Sequence, residues 1–327
     1  MRIGVIGCGK IGERHLTAYE KIEGVEVSVS DLNLDRARDV SREYGVGLVE
    51  SPDELIGSSE IDVIDVCVPT PHHAEVILEA LEGDKHVFCE KPLVASLEEA
   101  REIREKATES GKVVMSGYLY RFHPAFELAK EVLDGGVIGE PYYAIFRVGG
   151  RGSHRKWKHK KNEGGGAINE MLVHMLNLVI WYFGGVESAK NLDTDTILET
   201  REIDGELVEA NAEDFTILRL ATSRGVDVIC ESDLITPSYM NNVEIHGANG
   251  SIWTSILDYF PTLIYCKEAR GGYDQGNNFF EFPRVDLFEK ELKHFIKNIR
   301  EEQHPPLNSI EDSIKTLEII ESIRKDE

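Results

Sequence analysis

Residues 3–12 read Ile-Gly-Val-Ile-Gly-Cys-Gly-Lys-Ile-Gly, an apolar run that flows into Gly7-x-Gly9-x-x-Gly12. No other stretch constrains the fold as much. A short strand that ends in such a turn and opens a helix fits a βαβ unit built around a dinucleotide pyrophosphate. Gly7 permits the tight turn, Gly9 lets the backbone approach the phosphates, and Gly12 lets the helix pack closely on the sheet. The phosphates then face a helix N-terminus, where free N–H groups and the helix dipole favour negative charge. The next alternating stretch, 25–30, ends at Asp31. That is about the 20-residue distance at which a carboxylate for the adenosine ribose is expected. A carboxylate there repels a 2′-phosphate, so NAD is expected over NADP, with Arg36 the nearest cation.

The rest of the first 120 residues alternates strand and helix. Strands are expected at 3–6, 25–30, 46–49, 63–68, 86–89 and 113–117, and helices at 35–43, 51–56, 74–82 and 97–109. Ser96-Leu-Glu-Glu99 has the form of a capping box. Such alternation predicts a parallel sheet with helices on both faces. After Tyr118 the texture changes. Helices are expected at 124–133 and 167–183. Closely spaced strands are expected at 142–148, 213–221, 226–232, 242–246, 251–255 and 263–266, and two further helices at 285–301 and 309–325. The fold class is an α/β domain, residues 1–120, followed by an α+β domain, residues 121–327, with mostly antiparallel strands.

Length and composition set bounds on function. Two domains suit 327 residues, and 41% hydrophobic content supports sizeable cores. A net charge of −23 argues against nucleic acid and anionic membranes as partners. No apolar stretch approaches the 18 or so residues of a membrane span. Met1-Arg2 leads directly into the first strand, so no signal peptide is expected and the cytoplasm is the expected location. Cys8, Cys67, Cys89, Cys230 and Cys266 are scattered and form no Cys-x-x-Cys. Reduced thiols are expected rather than disulfides, and no metal.

Two strand ends carry further candidates. Val68-Pro-Thr-Pro-His-His73 follows the fourth strand and Cys89-Glu-Lys-Pro92 the fifth. Strand C-termini line the ligand crevice of an open parallel sheet. Thr70 and Pro71 are placed to touch the nicotinamide side of the cofactor, and Lys91 to hold a substrate oxygen.

Together with Gly117-Tyr-Leu-Tyr-Arg-Phe-His-Pro124 and Gly164-Gly-Gly-Ala167 leading to His174, these motifs occur in an order that resembles the glucose–fructose oxidoreductase/inositol dehydrogenase (Gfo/Idh/MocA) family over essentially the whole chain. The resemblance implies a Rossmann domain and an open, mainly antiparallel sheet with helices on one face, whose other face makes homodimer or homotetramer contacts. It implies cofactor contacts from Gly7, Gly9, Lys10, Ile11, Gly12, Asp31, Pro69, Thr70, His73, Glu90 and Lys91. It places Lys91 beside the nicotinamide, often with a cis peptide to Pro92, and a catalytic His on the helix after the last motif.

Glu170 and His174 stand four apart and so share a helix face. Oxidising an alcohol needs a base for the hydroxyl proton, and His titrates near neutrality. His174 is expected as general base, Glu170 as the group that orients it, and Lys91 as a hydrogen-bond donor to the reacting oxygen. Glu170 stands where many members have Asp, Leu172 where a small residue is usual, and Asn177 where Asp is frequent.

A basic island, Arg151, Arg155, Lys156, Lys158, Lys160 and Lys161, interrupts the acidic chain just before that helix. It reads either as a solvated loop or as a site for an anionic sugar. Arg155 would then be the bidentate contact and Trp157 a stacking surface, with Tyr120 and Arg121 as further substrate contacts. The expected activity is NAD-dependent hydride transfer to or from a secondary alcohol of a sugar, cyclitol or nucleotide-sugar. The alternatives are a glycosidase that recycles its NAD in place and a non-catalytic NAD or sugar sensor.

Overall fold

The structure, a computed structural model, describes residues 1–150, 155–302 and 305–325. The chain forms two compact units. One is Met1–Leu119 with Asp286–Ile314; the other is Tyr120–Val285 with the chain from Lys315. The first unit is therefore discontinuous, where a division into 1–120 and 121–327 treats it as one stretch.

In the first unit strands and helices alternate: β1 (Arg2–Ile6), α1 (Lys10–Tyr19), β2 (Glu26–Ser30), α2 (Leu34–Tyr44), β3 (Gly47–Leu48), α3 (Pro52–Gly57), β4 (Val63–Val66), α4 (His73–Glu82), β5 (His86–Glu90), α5 (Leu97–Ser110) and β6 (Val114–Gly117). The strands form one sheet in the order β3-β2-β1-β4-β5-β6, with every pairing parallel. That order reverses direction beside β1, which places the crevice at the C-terminal ends of β1 and β4. Val5, Val29, Val63, Ile64, Val66 and Phe88 have no exposed surface. Burying each is worth about 1.5–3 kcal/mol, which accounts for their near-continuous apolar runs. The Ser96–Glu99 capping box opens α5.

The second unit carries α6 (Pro124–Asp134), β7 (Pro141–Gly149), a π-helical turn (Ile168–Leu172) that leads into α7 (Val173–Phe183), and then β8 (Val186–Asp195), β9 (Thr200–Ile203), β10 (Glu206–Glu209), β11 (Phe215–Thr222), β12 (Asp227–Asp233), β13 (Met240–Gly247), β14 (Gly250–Thr254), β15 (Thr262–Cys266) and β16 (Gly276–Phe280). Its large sheet runs β16-β15-β14-β13-β7-β12-β11-β8, antiparallel except where β7 meets β12. The inward residues Ala144, Phe146, Val148, Val228 and Cys230 are fully buried. β8, β16 and the β9–β10 hairpin go beyond the sequence expectation. β8 is largely exposed and reads as polar chain.

The last helices are α8 (Leu287–Arg300) and α9 (Ile310–Lys325). α8 packs on α1 and β5, with Phe288 against His15 and Phe295 against Phe88, each at 5.5 Å between ring centroids, and Lys21 Nζ 2.7 Å from Asp286 Oδ2. All five cysteines are free thiols. No helix among the described residues is long and apolar enough to cross a membrane.

Candidate active site

The glycine turn has the geometry its sequence requires. Gly7 has φ +104°, and a Cβ there would lie 2.6 Å from Cys67 O. A Cβ on Gly12 would lie 2.1 Å from Gly7 O. Gly9 differs: a Cβ there would meet nothing within 4 Å, and no side chain caps α1. The turn is thus closed against the sheet and open at the helix N-terminus, with Lys10 exposed and Ile11 partly so. Asp31, just after β2, holds it. Its Oδ2 accepts the Cys8 N–H at 2.8 Å, and its Oδ1 accepts the Asn33 N–H at 2.7 Å. Arg36 Nη1 is 3.7 Å from the same carboxylate. An open, uncapped turn beside a fixed carboxylate fits a dinucleotide.

After β4, Pro69 is exposed and Thr70–His72 makes a single 3₁₀ turn. His73 is buried, and its ring binds Val68 O on one side and Pro92 and Leu93 O on the other. Burial lowers its pKa, against the pull of those three carbonyls. It braces the two loops against each other. Glu90 turns inward as well. One oxygen faces His15 Nε2 at 3.2 Å, and the other accepts the Lys91 backbone N–H at 3.2 Å. Lys91 is half-buried, and its peptide to Pro92 is cis.

The donor atoms of His15, Asp65 and Cys67, and those of His15, Glu90 and Glu291, lie within 4.8 Å of one another. Both nitrogens of His15 already face carboxylates. Burial pushes the Cys67 thiol up to about 12, so it is not a ready ligand.

In the second unit, backbone sterics select the glycines before the π-turn. Gly164 and Gly166 have φ +79° and +113°, and a Cβ on Gly165 would lie 2.4 Å from Lys158 O. Glu213, which the sequence analysis did not single out, supports the start of the helix by accepting the Ile168 N–H at 3.2 Å. Burial raises its pKa. Asn169 ties the glycine loop through Gly164 O at 3.0 Å. The π-turn closes with the Val173 N–H on Ile168 O, five residues back.

Glu170 and His174 lie on this segment, each 8% exposed. Glu170 accepts from the Lys158 ammonium. The Tyr120 ring stacks on His174, and its hydroxyl bonds that of Tyr239. Leu172 is fully buried, packed in the core.

Two of the expected substrate contacts have partners within the protein. Arg121 is 2% exposed; it donates to Asn177 O at 2.9 Å and lies over the Trp181 ring. It braces α7 and does not present a cation to solvent. The basic island is partly neutralised, with Lys156 paired to Glu206 and Lys158 to Glu170. Arg155 is exposed, and Trp157 is half-buried beside the Lys158 ammonium. Arg151 lies outside the described residues.

Both parts of the chain resemble known proteins. Residues 1–118 match the model of an oxidoreductase family with an NAD-binding Rossmann fold, and 126–253 match the GFO/IDH/MocA C-terminal domain. A myo-inositol 2-dehydrogenase of Thermotoga maritima is 29% identical over 97% of this chain and 93% of its own. An NAD(+)-type scyllo-inositol 2-dehydrogenase of Bacillus subtilis is 29% identical over 96% and 90%. The crystal structure of a "probable dehydrogenase" from Thermotoga maritima superposes with a TM-score of 0.83 at 26% identity, covering 100% of this chain and 98% of that one.

Proposed function

Because the chain belongs to the GFO/IDH/MocA family of oxidoreductases with an NAD-binding Rossmann domain, we propose that it is an NAD-dependent dehydrogenase of a neutral cyclitol or sugar, acting on a secondary alcohol. Bound NAD supplies the hydride acceptor, or the donor in the reverse direction. Gly7, Gly9, Lys10, Ile11 and Gly12 hold the pyrophosphate. Asp31 takes the ribose hydroxyls, a role its fixed orientation suits. Pro69, Thr70, Glu90 and Lys91 frame the nicotinamide end, and His73 locks the loops that carry them.

His174 is the general base for the hydroxyl proton. Tyr120 fixes its ring plane, and Glu170, held by Lys158, stands on the preceding turn. The Lys91 ammonium donates to the reacting oxygen and favours the alkoxide as the proton leaves.

The observation that carries this reading is His174 itself. It is an almost buried imidazole on a π-turned helix, stacked by Tyr120. π-turns of this kind recur at functional sites. A neutral substrate is favoured because acids already engage Lys156 and Lys158. The outward face of the large sheet exposes Trp253, Tyr265 and Phe279, an apolar surface suited to a second copy of this chain.

The test is NADH formation across inositols, aldoses, sugar phosphates, uronates and UDP-sugars, with Lys91→Ala as control. Turnover on a neutral polyol that Lys91→Ala loses while still binding NAD is expected. Glycoside cleavage without net NADH would replace this reading with the internally recycled one, and ligand binding without any turnover with a sensor.

A further inference from the structure

Beneath the C-terminal ends of β4 and β5, the first unit holds a buried polar network of which the proposed function uses only Glu90. His15 of α1 and Asp65 of β4 have no exposed surface. His15 Nδ1 is 2.8 Å from Asp65 Oδ2 and 3.3 Å from Cys67 Sγ. Tyr19 OH donates to the same Asp65 oxygen at 2.9 Å. On the other side of the ring, Nε2 faces Glu90 Oε1. The second Glu90 oxygen accepts the Lys91 N–H. Glu291 of α8 faces the same cluster, and the rings of Phe88 and Phe288 stand 5.5 Å from the imidazole.

A ring with a carboxylate opposite each nitrogen satisfies both only by donating from both. Burial works against that charge, but Asp65 and Cys67 outweigh it and hold the His15 pKa well above its ordinary value. Burial would raise Glu90, yet His15 and Lys91 bring it below the usual carboxylate value. Burial and the Glu90 charge push the Glu291 pKa well up. The network thus runs from Asp65, through a His15 ring that faces a carboxyl group at each nitrogen, to Glu90 and the backbone of Lys91.

We propose that His15 is a positioning residue: protonated on both nitrogens and anchored by Asp65, it clamps Glu90, whose second oxygen fixes the backbone from which Lys91 reaches the reacting oxygen. This rests on the role given to Lys91 under the proposed function. A lysine side chain is a flexible four-carbon stem, so the root is the part that the fold can hold. Misplacement of a reacting group by about 1 Å costs on the order of 10²-fold in rate.

The test uses two variants of the full chain. In His15→Asn the amide stops at the reach of Nδ1 and retains Asp65 but not Glu90. In His15→Gln the amide reaches the Nε2 position and retains Glu90. His15→Asn is expected to lose on the order of 10²-fold in kcat, with NAD affinity unchanged. His15→Gln is expected to keep most of its kcat even if its Tm falls as far. Lys91 is also read without turnover, by reductive methylation with 13C-formaldehyde and NMR at fixed pH. Its resonance, assigned by its absence in Lys91→Arg, is expected to move in His15→Asn and to stay in place in His15→Gln.

Equal kcat losses that track Tm, or an unmoved Lys91 signal in His15→Asn, would overturn the proposal. If neither variant folds, 15N NMR of the wild-type imidazole decides: a ring neutral at pH 7 defeats it, and a doubly protonated ring supports it. If the wild type oxidises no polyol, the dehydrogenase reading fails on its own, and the Lys91 signal still tests the clamp.

Discussion

Tyr120 and His174 lie with ring centroids 4.5 Å apart and planes 27° from parallel, so the candidate base is held by a face and not by an edge. Stacking fixes the imidazole plane. It also favours the cationic ring that forms when the base takes a proton. An aromatic pair of this kind is worth about 0.5–1.5 kcal/mol, or about tenfold in rate at its upper end. Tyr120→Phe keeps the stack and drops the Tyr239 hydrogen bond, so its kcat is expected to stay near wild type. Tyr120→Leu removes the stack and is expected to lose about tenfold. Steady-state kinetics with a turned-over polyol separates the two. Equal losses would assign the effect to the hydroxyl.

Asp31 is held by two backbone N–H groups before any ligand arrives, so its carboxylate needs no reorganisation to meet a ribose. Hydrogen bonds to a charged group contribute about 1.5–3 kcal/mol each. Asp31→Ser is therefore expected to weaken NAD binding about 10–100-fold and to raise the NADP/NAD ratio of kcat/KM. Titration of both cofactors checks this. An unchanged preference would show that Asp31 serves the loop alone.

Lys158 and Glu170 decide between two readings of the basic island. Removing one partner of a buried ion pair costs about 3–5 kcal/mol. Lys158 keeps a quarter of its side chain exposed, so about 1–3 kcal/mol is expected for Lys158→Met by the same argument. Adding Glu170→Gln should recover part of that loss. Urea midpoints of the single and double variants test the pair. If Lys158→Met leaves stability unchanged and raises only the substrate KM, Lys158 is a substrate contact and an anionic substrate returns to favour.

The first unit was largely legible, because parallel strands buried on both faces read as apolar runs and the glycine turn fixes where they begin. The second was legible only in outline. The β9–β10 hairpin carries its own signal, Asp204-Gly205, with φ +52° and +78° as a type I′ turn demands. Exposed Leu207 breaks the alternation around it. The π-turn leaves no trace in sequence, since its apolar spacing differs little from that of an α-helix. The segment Tyr120-Arg-Phe-His123 offers Arg121 as a substrate contact, and the fold buries that side chain. Its partner, the carbonyl of Asn177, is a backbone atom that no composition reveals. The His15 network did leave a sign: Asp65 sits inside the run Val63-Ile-Asp-Val66, and a carboxylate in a buried parallel strand requires a partner.

That network also contributes to the pH dependence of stability. The folded pKa of His15 lies well above 6.5. Its contribution is therefore complete below the unfolded value and is lost as pH rises through the folded one. Glu291 acts in the same direction. Its folded pKa is raised well above 4.5, first by burial and then by Glu90, so it costs stability progressively as pH climbs from 4.5 toward that raised value. Glu90, which is lowered, works oppositely and gives up its contribution only as pH falls through its folded value. Stability is thus expected to decline from mildly acidic to alkaline pH. Among the described residues, neither Glu291 oxygen has a hydrogen-bond partner, and an unsatisfied buried polar group costs about 1–3 kcal/mol. Glu291→Met is expected to gain about that much at neutral pH and to flatten the alkaline decline, whereas His15→Gln loses stability at acidic pH and flattens the decline from below. Urea midpoints of the three proteins from pH 5 to pH 9 check both. A Glu291→Met variant less stable than wild type would show that the carboxyl is bound and holds the cluster together.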